Sequence, residues 1–256
     1  MFPKEIPLAQ GKKLFFASDF HLGTPSHSES LEREKKITRW LNDIRKEAHT
    51  IFLLGDVFDF WFEYRKVVPK GFVRLQGKLA ELSDEGINLV MFRGNHDMWM
   101  FDYFKRELNV EIISGTVTFT SNGKVFLIGH GDGLGPGDYA YKILKAIFNN
   151  RICQFLFGAL PPFFGMSLAH SWSRTSRIQN NKTEMDRKGG VEMLEVYCQN
   201  IEKEHHHDYY VFGHRHKVMQ QQVGEDGMYY NLGEWVNDSV YGVFDGKTFT
   251  LKTFHG

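Results

Sequence analysis

Arg93-Gly94-Asn95-His96-Asp97 follows directly on the apolar run Asn88-Leu89-Val90-Met91-Phe92. A run of that length and character reads as a strand. It ends in a glycine, which permits a sharp turn, and then presents Asn95, His96 and Asp97 together. In open α/β sheets the edge at the strands' C-terminal ends is where ligands bind. One such turn is ordinary loop chemistry. The reading rests on four more of the same kind.

Working outward toward the N-terminus, Leu14–Ser18 is a short apolar strand ending at Asp19-Phe20-His21, and Thr50–Leu54 is another ending at Gly55-Asp56. Between them, residues from about Ser28 to Ala48 read as a helix with Leu31, Ile37, Trp40, Leu41 and Ile44 on one stripe. A second helix, about Gly71–Asp84, precedes Asn88–Phe92. A β-α-β-α-β order with nearly all-apolar strands predicts an α/β fold whose parallel strands are covered on both faces. Toward the C-terminus the pattern predicts a helix at about Met98–Leu108, then strands near Val110–Ile113 and Thr116–Thr120. A hairpin turn at Ser121–Lys124 follows, with a returning strand Val125–Ile128 that ends at Gly129-His130-Gly131-Asp132. A helix at about Asp186–Glu204 leads into Tyr209–Phe212, which ends at Gly213-His214-Arg215-His216. The last 40 residues alternate in short segments between glycine-rich turns and read as an antiparallel sheet.

The polar groups at these strand ends are Asp19 and His21, Asp56, Asn95 and His96, His130, and His214 and His216. One histidine at a strand end is ordinarily structural. Five successive ends delivering Asp, Asn or His are not, because carboxylates brought to one point repel and lose solvation unless a cation compensates them. Carboxylate, imidazole and amide donors without thiolate suit Mn, Fe or Zn. On extended backbone, Asp-x-His and His-x-His place both side chains on one face. So many donors exceed the needs of one ion, which implies a pair sharing a carboxylate, the arrangement that clamps the attacking and departing oxygens of a phosphoryl centre.

Composition narrows the rest. A chain of 256 residues suits one domain, or one with a sizeable insertion. Lys+Arg and Asp+Glu balance at 31 each, so no global field favours nucleic acid. Cys153 and Cys198 lie in no metal-type spacing and read as inert thiols in a reducing compartment. Met1-Phe2-Pro3-Lys4-Glu5 has neither the basic nor the apolar region of a signal peptide.

Taken in order, Asp19-x-His21, Gly55-Asp56, Gly94-Asn95-His96-Asp97, Gly129-His130 and Gly213-His214-x-His216 resemble the five-block signature of the calcineurin-like metallophosphoesterases. The resemblance implies a four-layer α/β/β/α sandwich, two central sheets flanked by helices. It implies that Asp19, His21, Asp56 and His216 hold one divalent ion and that Asp56, Asn95, His130 and His214 hold the other, with Asp56 bridging. His96 and Asn95 would act with Asp56 at the reacting phosphoryl group, and Asp97 would support the ligands from behind.

A substrate clue lies in the middle of the chain. From Ile152 to Ser173 there is no Asp, Glu, Lys or Arg, and Pro161-Pro162 divides the segment into pieces each too short to span a membrane. A buried core helix is one reading. The preferred one is an apolar helical lid, residues 133–185, inserted into a core of residues 1–132 and 186–256, meeting acyl chains or a membrane interface. Lys142, Lys145 and Arg151 before it, and Arg174, Arg177 and Lys182 after it, are candidates to pair with phosphates or anionic headgroups or are simply solvated.

The lid, together with Ser18-Asp19-Phe20-His21-Leu22, Gly55-Asp56-x-Phe58-Asp59-x-Trp61, His130-Gly131-Asp132 and Asp138 with Ala140-Tyr141, is similar to one branch of that family, the UDP-2,3-diacylglucosamine diphosphatases of lipid A biosynthesis. That resemblance implies two Mn²⁺ ions and water attacking the α-phosphorus of a UDP-linked glycolipid, giving UMP and 2,3-diacylglucosamine 1-phosphate. It also implies a cytoplasmic monomer at the inner membrane that binds no nucleic acid. Asn95, His96, Asp138, Ser176, Asn180, Lys182 and His214 would contact the substrate. His96 departs from the pattern, standing where the best-known members carry Arg. Two readings compete: a broader phosphodiesterase or nucleotide pyrophosphatase acting on soluble substrates, and a metal-binding scaffold without catalysis. Of the remaining features, His205-His206-His207 reads as a solvated connection, and Glu234-Trp235 as either site rim or packing.

Overall fold

The computed structural model describes residues 2–137, 139–165 and 192–256. The first half runs β1 (Lys13–Ala17), α1 (His27–Ile44), β2 (Ala48–Leu53), α2 (Val73–Asp84), β3 (Asn88–Phe92), α3 (Tyr103–Leu108) and β4 (Glu111–Ile113). The hairpin β5 (Thr116–Ser121) and β6 (Lys124–Gly129) follows, then α4 (Tyr139–Asn149) and α5 (Arg151–Ala159). The chain closes with α6 (Met193–Glu204), β7 (Tyr209–Phe212), β8 (Val218–Val223), β9 (Gly227–Leu232), β10 (Val240–Phe244) and β11 (Phe249–Thr253).

These strands form a six-stranded sheet, β11-β10-β1-β2-β3-β4, and a five-stranded sheet, β5-β6-β7-β9-β8. β1 to β4 are parallel to one another, and so are β6, β7 and β9. Because side chains alternate along a strand, β1 serves two cores. Leu14 and Phe16 join Phe52, Phe92, Phe126, Val211 and Phe249 between the sheets. Phe15 and Ala17 face the other way, onto Ile37, Trp40, Leu41, Leu75 and Leu79 of α1 and α2. On the outer face of the second sheet, Tyr210 and Phe212 pack with Leu194 and Cys198 of α6. The result is four layers, α/β/β/α. The parallel strands are covered on both faces, as expected, by helices on one side and by the second sheet on the other. An apolar strand face does not record which kind of element buries it.

The corrections to the sequence reading are local. The first helix ends at Ile44 rather than near Ala48, because Ala48 already pairs with Lys13 in the sheet. At its start, Ser26 Oγ accepts the Glu29 N–H at 3.3 Å and caps the helix. The helix expected from Met98 begins only at Tyr103. Met98 and Trp99 are drawn instead into an apolar cluster with Phe60 and Phe62, and Glu63 Oε2 takes the N–H groups of Asp102 and Tyr103, at 2.8 and 3.1 Å, where the helix starts. The final 40 residues do not form a sheet of their own. β8 and β9 extend the five-stranded sheet, while β10 and β11 extend the six-stranded one.

Candidate metal centre

β1, β2 and β3 belong to the first sheet and β6 and β7 to the second, yet the loops leaving all five converge. Their closeness excludes larger residues at two turns. A Cβ on Gly94 would collide with the Asp56 carboxylate, and one on Gly213 with Ser18 and Asp19. The loops after β1 and β2 continue the strand ladder, with Asp19 N–H donating to Gly55 O at 3.1 Å and His21 N–H to Asp56 O at 2.9 Å.

Asp19, His21, Asp56, His214 and His216 all have left-handed backbone, with φ of 55, 44, 51, 70 and 50°. Each such non-glycine residue costs of order 1–3 kcal/mol and persists only where its surroundings hold it. Asp-x-His and His-x-His therefore do not reach one face by extended alternation, as the sequence pattern predicts. Tight left-handed turns aim them inward.

Two groups of donors result. In one, His21 Nε2 lies 3.0 Å from His216 Nε2, 3.6 Å from Asp19 Oδ1 and 3.8 Å from Asp56 Oδ2, and His216 Nε2 lies 3.2 Å from Asp19 Oδ1. In the other, Asn95 Oδ1 lies 3.0 Å from His130 Nε2 and 2.9 Å from His214 Nδ1, and His130 Nε2 lies 3.4 Å from Asp56 Oδ2. Asp56 Oδ2 belongs to both.

Each carboxylate has one oxygen held by protein and one left over. Asp19 Oδ2 accepts from Ser18 Oγ and the His214 N–H at 2.5 and 2.9 Å, and Asp56 Oδ1 from the His96 N–H at 2.8 Å. Asp19 Oδ1, Asp56 Oδ2 and His21 Nδ1 are buried without a hydrogen-bond partner. His130 Nδ1 is satisfied by Leu54 O at 2.8 Å, which leaves Nε2 facing the cluster. Buried, unpartnered carboxylate oxygens beside imidazole nitrogens are what a cation would satisfy. Asp19, His21, Asp56 and His216 bring their donor atoms within 4.8 Å of one another, as a single ion requires.

The electrostatics point the same way. Burial opposes charge on Asp19 and Asp56, but the adjacent imidazoles of His21 and His216 hold Asp19 well below the usual carboxylate range, and the charge on His130 does the same for Asp56. Burial opposes charge on His130 too, yet Asp56 and Asp19 hold it up to about 10. His96 is lowered to about 4, chiefly by burial, and His214 to about 4 by burial and the His130 charge.

Two carboxylates support this centre. Asp97 accepts four backbone N–H groups, from Gly94, Asp56, Val57 and Phe58. Burial and the Asp56 charge raise it to about 7 against those bonds. Asp59 carries a role the sequence reading does not assign. Its Oδ1 lies 3.8 Å from His21 Nδ1 and 3.6 Å from His96 Nδ1, and its carbonyl lies 3.2 Å from His96 Nδ1. Its placement three residues after Asp56, in a tight turn, was the available signal.

Of the substrate residues expected from sequence, Asn95, His96 and His214 stand in the cluster, whereas Asp138, Ser176, Asn180 and Lys182, like Arg174 and Arg177, lie outside the described residues. Lys145 and Lys142 have partners within the protein. Lys145 pairs with Asp132 at 2.6 Å and Lys142 donates to Gly135 O at 2.6 Å. The apolar segment is not a buried core helix where it is described. Phe155 and Phe163 are 75 and 77 % exposed, Leu156 and Phe164 nearly as much, and Phe157 packs against the Phe60–Trp99 cluster. Among the described residues no helix is long and apolar enough to cross a membrane. The solvated reading of the histidine tract is corrected at His207, which is buried, with its Nδ1 2.9 Å from His205 O. Trp235 packs in the core while Glu234 Oε2 comes within 3.7 Å of His216 Nδ1.

The family model for the calcineurin-like phosphoesterases matches residues 12–218. A protein of Porphyromonas gingivalis named UDP-2,3-diacylglucosamine hydrolase is 36 % identical over 260 residues, covering 94 % of this chain and 97 % of its own. Proteins of the same name from Histophilus somni and Neisseria meningitidis are 26 and 27 % identical, covering 88 and 89 % of this chain and 92 and 91 % of theirs.

Proposed function

The chain belongs to the calcineurin-like phosphoesterase family, and we propose that it hydrolyses the pyrophosphate of UDP-2,3-diacylglucosamine to UMP and 2,3-diacylglucosamine 1-phosphate, water attacking the α-phosphorus. The observation that carries the reaction class is Asp56 Oδ2, buried and unpartnered between two sets of imidazole and amide donors. In this reading Asp19, His21, Asp56 and His216 hold one divalent ion, and Asp56, Asn95, His130 and His214 the other. Oxygen and nitrogen donors without thiolate suit Mn, Fe or Zn, and Mn²⁺ is the choice that the family resemblance adds. When bound, such a pair of ions supplies Lewis-acid stabilisation of the phosphoryl oxygens and a lowered pKa for water.

The protein's own groups do the rest. Asp59 occupies His96 Nδ1 and leaves Nε2 for the substrate. Burial keeps that imidazole neutral in the resting protein. An anionic pyrophosphate favours the imidazolium, so His96 takes a proton as substrate arrives and donates from Nε2 to a phosphoryl oxygen. The departing sugar phosphate is a stable anion and needs little acid assistance.

The substrate is supported by the names of the relatives and by exposed apolar side chains on α5 and just beyond it. Residues 133–185 act as a lid over a core of residues 1–132 and 186–256, with Phe155, Leu156, Phe163 and Phe164 receiving acyl chains or the bilayer surface. The protein works as a monomer on the cytoplasmic face of the inner membrane, and Asp138, Ser176, Asn180 and Lys182 complete the headgroup contacts. The test is UMP release by the purified Mn²⁺-loaded protein from acylated and deacylated UDP-glucosamine. No UMP from the acylated substrate overturns the proposal. Equal turnover of both replaces it with a broader nucleotide pyrophosphatase.

A further inference from the structure

The loop after β1 carries Asp19 and His21 in left-handed conformations, and buried backbone carbonyls in such a loop need donors. Asp19 O accepts the Trp235 N–H at 3.0 Å and Leu22 O the Asp59 N–H at 2.9 Å. Phe20 O and His21 O instead accept from one side chain on α1, Arg33, whose Nε and Nη2 lie 2.7 Å from them. The same Nη2 donates to Thr24 O. Arg33 is itself buried, at 7 % exposure. Between His21 and Thr24, the Gly23 N–H donates to Ser30 Oγ, also on α1, at 2.7 Å.

We propose that Arg33 is a positioning residue for the ion held by Asp19, His21, Asp56 and His216: its rigid guanidinium fork clamps the Phe20, His21 and Thr24 carbonyls and so holds His21 in the left-handed turn that aims its imidazole at Asp19 and His216. The inference rests on the two-ion reading above. A planar fork with several fixed donors suits this task, whereas a lysine ammonium is a single point that cannot reproduce the fork geometry. The three carbonyls it clamps all belong to the His21 loop, so its effect falls on the ion that His21 holds.

The neighbouring residue supplies a control. Glu34, equally buried, takes the Arg74 and Leu75 N–H groups at 2.8 and 3.0 Å and thereby holds the start of α2, away from the centre. The experiment strips the full-length protein with a chelator and titrates Mn²⁺ by calorimetry, alongside thermal melts, for wild type, Arg33→Lys, Arg33→Met and Glu34→Gln. Wild type is expected to bind two Mn²⁺. Arg33→Lys weakens one of them about tenfold and leaves the other within twofold, Arg33→Met weakens the same one further, and Glu34→Gln lowers the melting temperature without changing either. Should Arg33→Met fail to fold, Arg33→Lys carries the comparison. Two ions bound with unchanged affinity by Arg33→Lys overturn the role of Arg33 alone, as does an equal loss in Glu34→Gln. A wild-type protein that binds no Mn²⁺ overturns the two-ion reading and the inference with it.

Discussion

Asp97 grips the turn that carries Asp56: its Oδ1 accepts the Asp56 N–H at 3.3 Å, and its Oδ2 accepts those of Val57 and Phe58 at 2.8 and 3.2 Å. The same Oδ1 takes the Gly94 N–H at 2.8 Å, tying the β2 and β3 loops together. Asp97→Asn replaces one acceptor oxygen with an amide that confronts N–H groups. The expected cost is about 1–3 kcal/mol for the donors left unpaired, read as a lower denaturation midpoint with an unchanged slope, together with weaker Mn²⁺ binding. Stability equal to wild type would count against this role.

Asp56→Ala removes the oxygen common to both donor groups. The variant is expected to lose both ions in a metal analysis and to lose UMP release entirely at ordinary Mn²⁺ concentrations. Retained turnover with an occupied centre would refute the bridging assignment.

His96→Ala is expected to leave metal content intact, because the His96 side chain is outside both donor groups. The rate should fall by roughly 10²–10⁴, the range for a positioned proton-transfer group. Loss of metal in parallel with activity would instead make His96 a ligand.

Replacing Phe155, Leu156, Phe163 and Phe164 with serine tests the lid. Burying each such side chain against an acyl chain contributes about 1.5–3 kcal/mol, so kcat/KM for the acylated substrate should fall well over tenfold. Hydrolysis of a small phosphodiester should stay near the wild-type rate. Equal losses on both substrates would mean the segment only packs.

The metal-free protein is expected to be most stable near pH 6.5. His130 is held above its ordinary value, up to about 10, by Asp56 and Asp19 against the opposition of burial. Its contribution is therefore complete below about pH 6.5 and is lost as pH rises toward 10. His96 and His214 are lowered to about 4, chiefly by burial. The unfolded chain takes protons there that the folded chain refuses, so stability also falls as pH drops from about 6.5 toward 4. Melting temperatures of chelator-treated protein at pH 5, 6.5 and 9 check both arms. Mn²⁺ should flatten the alkaline arm, because a bound ion takes over from the His130 proton the task of compensating the carboxylates.

The centre was legible in the sequence because each strand end broadcasts the same local signal, apolar residues giving way to polar ones beside a glycine or serine. Gly94 and Gly213 sit where any side chain would strike a ligand residue, so their presence in the pattern has a steric cause. The left-handed turns at Asp19, His21, Asp56, His214 and His216 left no comparable trace. They depend on contacts such as Arg33 to the His21 carbonyl, which lie across the fold and belong to no short motif. Periodicity alone did not say what covers the strands' second face, since Phe16 and Phe52 would look the same beneath a helix; the second sheet was expected only from the family resemblance. Trp99 breaks the expected helix by packing on Phe60 and Phe62, a tertiary contact that outweighs local helical preference.

The donors come from loops on both sheets, and the last two to be synthesised, His214 and His216, lie near the end of the 256-residue chain. A nascent chain that has released β1 to β4 already carries Asp19, His21, Asp56 and Asn95. On the two-ion reading it still lacks an imidazole from the second sheet for either ion. Each donor set would then be completed only after β7 is made, which would make full occupancy a late step of biogenesis.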